Sequence, residues 1–214
     1  MSAGVLTLFL IEFALIASLP AIFFRRGVFN LLWLATGAPY FVCALALVAS
    51  RLGVMPPLPG PALPEAALVA GQCAGVACAA AALGLQGFVL GTHQRPLRLW
   101  LQEDDRTEHL VTHGAYKRIR HPFYTSFLLA LAGAFIAAPS YGTAATLAYG
   151  IVTMTLTVMK EEKGILASEF GKEYAAYMQR TGRFFPFLGA QPAAAGAEGP
   201  PPAPTPAPGG APGA

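Results

Sequence analysis

Five apolar runs restrict this chain to one kind of fold. They are Val5–Phe24, Leu31–Ser50, Ala66–Leu90, Phe123–Ala138 and Thr143–Met159, and none carries more than one charged residue. About 20 residues of helix cross a bilayer, so the first three runs are long enough and the last two somewhat short. Short runs tilt little or sit shielded by other helices. A backbone in hydrocarbon must satisfy its own polar groups, which leaves helices for runs of this kind. Composition agrees: 55% of residues are hydrophobic and 12% charged, against about 25% charged in soluble domains. The expectation is an all-α integral membrane bundle of about five transmembrane helices, with an amphipathic helix near the C-terminus.

The first run lacks a basic start, and Arg25 and Arg26 follow it. That is the reverse of a cleavable signal, so it reads as a span. Glu12 lies in its middle, where a charge is expensive and faces a partner. Pro39 interrupts the second run as a possible kink. The proline-rich stretch LGVMPPLPGPALPE cannot continue a helix. The third run is rich in Ala and Gly, as contacts between membrane helices prefer. A polar stretch with His93, Arg95, Arg98 and Arg106 follows, and Trp100 within it suits the membrane interface. With five spans, Arg25, Arg26, the arginines of 92–120 and the bases of the C-terminal helix share one side, and only Arg51 lies on the other. The positive-inside rule then puts the C-terminus in the cytoplasm.

Three regions follow: a membrane region at 1–91, a region at 92–188 that carries the polar motifs, and a Pro/Ala/Gly tail at 189–214 expected to be disordered. The net charge of +3 suits loops beside anionic headgroups. No basic stripe with interleaved aromatics is present, so nucleic acid is not an expected partner. Cys43, Cys73 and Cys78 lie in apolar runs without a CxxC pair and read as small buried hydrophobes, with no metal site expected.

Chemistry concentrates in two polar clusters. The first is EHLVTHGAYKRIRHPFY, from Glu108 to Tyr124. Gly114 permits a tight turn that a Cβ would oppose. Pro122 suits the first turn of a helix, which places His121 and Tyr124 at a helix N-terminus. Free N–H groups and the helix dipole there favour an anionic ligand group. The second cluster starts at Glu161-Glu162 and continues through ILASEFGKEYAAYMQRTGRFFP. Ile165, Leu166, Phe170, Tyr174, Tyr177 and Met178 recur at helical spacing, predicting an amphipathic helix from Lys160 to about Arg180. The turn PSYG closes a hydrophobic hairpin between the clusters and returns both to one membrane face. The plainer reading of the first cluster is a basic loop that fixes topology. That of the aromatic stripe is packing on the bundle.

Taken jointly, LVTHGAYKRIRHPFY and EEKGILASEFGKEYAAYMQRTGRFFP resemble the C-terminal half of the isoprenylcysteine carboxyl methyltransferase and phospholipid methyltransferase superfamily. The resemblance covers about Glu108 to Pro186. It implies S-adenosylmethionine as cofactor and a lipid-like or prenylated acceptor. The cofactor-binding residues it implies are Glu108, His109, Leu110, Val111, Tyr116, His121, Pro122, Phe123, Tyr124 and one or both of Glu161 and Glu162. Neighbours on a helix face different directions, so one of the two glutamates is expected in the pocket. His113 falls at a position that the family leaves open. Two departures stand out. Ser126 replaces a frequent glycine. Thr157 and Val158 stand where isoprenylcysteine enzymes carry a substrate-binding arginine, and Arg120 or Arg183 is left as the acceptor-side catalytic cation. Sterol reductases, which bind NADPH, have a similar C-terminal architecture, but their Asn and Glu after the proline are missing here. A non-enzymatic membrane scaffold is the third alternative.

Overall fold

The computed structural model describes residues 24–25, 28–29, 31–92 and 110–186, with side chains from residue 39 onward. The first apolar run up to residue 23, with Glu12, lies outside the described residues. So do the 93–109 stretch, with Glu108 and His109, and the tail. A two-residue antiparallel ladder pairs β1 (Phe24–Arg25) with β2 (Val28–Phe29). All other elements are helical: α1 (Leu31–Arg51), α2 (Glu65–Thr92), the 3-10 turn η1 (Gly114–Lys117), α3 (Pro122–Ala137), α4 (Tyr141–Leu166) and α5 (Gly171–Arg180).

Among the described residues, α2 and α4 are long and apolar enough to cross a membrane. The apolar part of α1 from Pro39 and the whole of α3 are shorter. Only 28% of each long apolar window is buried within the protein. A soluble core helix would be covered, whereas here Val69, Val76, Phe88, Ile151, Val152 and Leu156 are exposed. Apolar surface on that scale needs a covering medium, and lipid supplies one.

The helices approach closely through small residues. A Cβ on Gly75 of α2 would stand 2.6 Å from the Ala137 Cβ and 2.7 Å from the Gly133 carbonyl oxygen of α3. The missing side chain lets the two backbones touch, where lipid tails give no hydrophobic drive. On the other flank of α3, Tyr40, Phe127, Leu131, Met154 and Val158 form the core with Val89, Phe123 and Tyr124.

The α3–α4 turn is tied by a capping box. The Thr143 N–H donates to Ser140 Oγ at 3.1 Å, and the Ser140 N–H donates to Thr143 Oγ1 at 3.0 Å. This satisfies two orphan donors at the start of α4. The proline-rich loop seals the turn, with the Tyr141 N–H donating to the Pro59 carbonyl at 2.9 Å.

The amphipathic segment differs from the continuous helix predicted over Lys160 to Arg180. Lys160–Leu166 extends α4 past its apolar part, and the chain breaks before α5 begins at Gly171. Ser168 accounts for the break. Its Oγ and its N–H both donate to the Ile165 carbonyl, at 2.7 and 3.0 Å, and such local bonds compete with helix continuation.

Candidate functional site

The site grows from the loop before α3. Gly114 adopts φ +57°, a left-handed conformation that fits the tight turn expected there. A Cβ there would also collide with Thr92, the last residue of α2. Thr92 Oγ1 accepts from the Ala115 N–H at 3.2 Å, locking the loop to the end of α2. No motif marks Thr92 in the sequence; it stands only as the polar end of an apolar run.

From Ile119 the loop runs extended beside the segment after α5. The Arg120 N–H donates to the Gly182 carbonyl at 2.8 Å and the His121 N–H to the Arg183 carbonyl at 3.1 Å. Thr125 Oγ1 donates to the Phe184 carbonyl at 2.9 Å. The late TGRFFP run and the RHP run therefore lie side by side. Pro122 then opens α3 at its first position, and His121 is the N-cap.

The hairpin delivers the end of α4 to the same place. Glu162 is 3% exposed, yet three cationic or polar side chains reach it. Arg120 Nε donates to its Oε1 at 2.9 Å, and His121 Nε2 lies 3.3 Å from that oxygen. Arg183 donates to its Oε2 through Nη2 at 2.7 Å and Nε at 3.1 Å. Burial pushes the Glu162 carboxyl up. The bonds from His121, Arg183 and Arg120 outweigh that and hold it down at about 2.

Glu161 turns to the same cluster. Tyr124 Oη donates to its Oε1 at 2.6 Å, and His121 Nδ1 stands 3.8 Å from its Oε2. Both glutamates thus face the N-terminus of α3, with the His121 imidazole between them. Adjacent helix positions normally diverge, but here the rings of His121 and Tyr124 span the gap. These rings have centroids 5.9 Å apart, and Phe184 stands 6.5 Å from His121.

The two arginines differ. Arg120 also donates through Nη1 to the carbonyls of Met178 and Thr181, which ties down the end of α5. Its side chain is 8% exposed, against 35% for Arg183. Of the other expected residues, Pro122, Phe123 and Tyr124 are buried, and Leu110, Val111 and Tyr116 are half-buried. The Tyr116 carbonyl accepts from Tyr177 Oη at 2.5 Å, which joins η1 to α5. His113 is exposed. Val158 is fully buried and Thr157 Oγ1 donates to the Thr153 carbonyl at 2.8 Å, so neither offers a cation.

Residues 79–168 match the model of the isoprenylcysteine carboxyl methyltransferase family. The match takes in the late part of α2, the HPFY run and both glutamates, and it bears out the resemblance read from the sequence. Two curated relatives are also similar. The cobalt-zinc-cadmium resistance protein CzcN of Cupriavidus metallidurans is 37% identical over 109 residues, which is 50% of this chain and 49% of the relative. The nickel-cobalt-cadmium resistance protein NccN of Alcaligenes xylosoxydans xylosoxydans is 32% identical over 114 residues, 53% of each. The chain thus spans about half the length of these relatives. No solved structure matches the chain significantly.

Proposed function

We propose that the protein is a membrane methyltransferase that uses S-adenosylmethionine and modifies a lipid-like acceptor at the cytoplasmic interface. One observation carries the reading. Inside the family-matched segment, two motifs 37 residues apart in sequence meet at a single cluster, with Tyr124 on Glu161 and His121 between both glutamates.

The donor set fits this cofactor. Its amine and ribose hydroxyls are donors that suit a carboxylate, and Glu161 offers one. Its adenine suits apolar and aromatic walls, which Phe123, Tyr124, Leu110 and Val111 can supply together with Tyr116 and Pro122. Its carboxylate suits His121 and the open N–H groups of the first turn of α3. Glu108 and His109 complete the proposed set. When bound, the cofactor supplies an electrophilic methyl group on a sulfonium.

The protein's own part is positioning and exclusion of water. Glu162 does the first through its partners. It fixes Arg120 and His121 ahead of α3 and Arg183 after α5, so three distant segments hold one geometry. Tyr124 fixes Glu161. His121, Tyr124 and Glu162 are buried, and a methyl group presented beside them would be kept from bulk water.

The relatives are named for metal resistance. We read the acceptor as a membrane component whose modification serves such a setting, not as a metal ion. Titration of the purified full chain in mild detergent with S-adenosylhomocysteine and, separately, NADPH tests the reading. Binding of the first alone is expected. Binding of NADPH alone would turn the protein into a reductase, and binding of neither would favour a scaffold. Placement on the cytoplasmic side predicts that a Cys introduced near Pro59 is labelled from outside and one at Gly189 is not. The reverse pattern would discard that placement.

A further inference from the structure

We infer that Lys117, Arg118 and Arg180 form a docking site for the head group of an anionic membrane lipid, and that the bound lipid fastens η1 to α5. This needs the membrane placement of α2 but not the methyl-transfer chemistry. The fold gathers these cations from two segments far apart in sequence. Lys117 and Arg118 are exposed at the end of η1, and Arg180 is exposed in the last turn of α5. Three contacts hold the segments side by side. Tyr177 Oη donates to the Tyr116 carbonyl at 2.5 Å. The Gly182 N–H donates to the Arg118 carbonyl at 3.2 Å. Ile119 forms a parallel bridge with Gly182. The Arg180 guanidinium carbon stands 5.9 Å from the centre of the Tyr177 ring, the same ring that reaches η1.

Among the described residues, none of the three has a carboxylate partner. Glu161 and Glu162 are engaged by Tyr124, His121, Arg120 and Arg183. Glu173 precedes Arg180 by two turns of α5, about 10 Å along the axis, where salt screens most of its pull. Like charges gathered without a counterion repel one another, so the patch attracts an anion from outside. It shares no residue with the Glu162 cluster, and it is exposed where that cluster is buried.

Depth decides which anion. Thr92 ends α2 and accepts from the Ala115 N–H at 3.2 Å. η1 therefore lies against the end of a helix long and apolar enough to cross a membrane. Head groups begin where the apolar part of such a helix stops. Lys117 and Arg118 thus stand at phosphate level, where basic side chains gain most from anionic lipid. The arginines offer paired N–H donors to a phosphate, and the lysine offers a point charge. A phosphate held between them draws η1 toward the end of α5. The same two segments carry Arg120 and Thr181, which are joined on the buried side.

The test is native mass spectrometry of the full chain in a neutral maltoside detergent, with dioleoyl phosphatidylglycerol and dioleoyl phosphatidylcholine as probes. Wild type is expected to bind the first at least about tenfold more tightly, since each basic residue beside an anionic head group contributes about fivefold. The triple variant Lys117→Gln, Arg118→Gln, Arg180→Gln should lose that preference. The triple variant Lys160→Gln, Lys163→Gln, Lys172→Gln removes the same charge from exposed positions elsewhere and should keep it. Equal preference in wild type and the first variant, or equal loss in both variants, overturns the proposal. Displacement of the lipid by equimolar glycerol phosphate overturns it as well, since the ligand would then be a soluble anion. A second measurement needs no variant. In nanodiscs, phosphatidylglycerol should slow hydrogen exchange at the Arg120 and Gly182 amides, which join the two segments. Exchange equal to that in phosphatidylcholine alone overturns the fastening of η1 to α5. S-adenosylhomocysteine enters neither measurement, so a failure of the methyltransferase reading leaves both readouts intact.

Discussion

The α2–α3 contact and the cluster around Glu162 hold α3 to its neighbours by opposite means. The first is dry and almost without functional groups: glycine at 75 lets one backbone rest on another, and the contact depends on absent atoms. The second is built from charge. Three side chains from two distant segments converge on one carboxylate buried to 3% exposure. The packing contact is weakened by added volume, whereas the charged one is weakened by loss of the shared carboxylate. The molecule thus separates what spans the membrane from what orders its interfacial end.

The largest expected effect comes from breaking the charged region. Glu162→Leu leaves Arg120 and Arg183 without their shared acceptor, and loss of one partner of a buried pair costs about 3–5 kcal/mol. Denaturant unfolding in detergent should show it, together with early protease cleavage in α5. A loss below about 1 kcal/mol would mean that the carboxylate is not the keystone. Gly75→Val should come next, at about 1–3 kcal/mol, because its methyl groups meet α3 directly. That variant should leave cleavage in α5 unchanged. If it frees α5 as well, the two regions are not separate.

Tyr124→Phe should have a smaller effect on stability. It removes one donor to Glu161, about 1.5–3 kcal/mol as an upper range for a bond to a charged group and less where water can replace it. Its mark should be weaker S-adenosylhomocysteine binding by isothermal titration, out of proportion to the stability change. The smallest effect is that of mild acid. Glu162 is depressed to about 2 in the fold, below its ordinary value of about 4.3. Its stabilisation is therefore complete above the ordinary value and is lost only as pH falls from there through about 2. Between pH 8 and 5 the Glu162 contribution should stay flat. A steep loss within that window, absent from Glu162→Leu, would contradict the depressed carboxyl.

Much of this was legible in the residues. Gly114 marked a tight turn, and Pro122 marked the start of α3. The hairpin logic placed His121 and Tyr124 beside the glutamate pair. Other features left no local signal. The end of α4 escaped notice because Ile165, Leu166, Phe170 and Tyr174 keep helical spacing across the break at Ser168. Helix geometry alone sends Glu161 and Glu162 apart, and only the positions of two rings from α3 bring them to one cluster. The distinct duties of Arg120 and Arg183 depend on which backbone carbonyls lie nearby, and no spacing records that. The five-span count reaches beyond the described residues; among those, α2 and α4 are the two helices of clear spanning length.

The central claim is that the charged cluster is the cofactor site and the small-residue contact is only scaffold. Its most direct test is the S-adenosylhomocysteine affinity of two variants, one from each region: Glu161→Gln and Gly75→Ala. The account predicts that Glu161→Gln binds roughly ten- to hundredfold more weakly than wild type, the loss of one charge-assisted hydrogen bond. It predicts that Gly75→Ala, although less stable, binds within about threefold of wild type, since thermal energy alone spans such a factor. Equal affinities in wild type and Glu161→Gln, or equal losses in both variants, would contradict it.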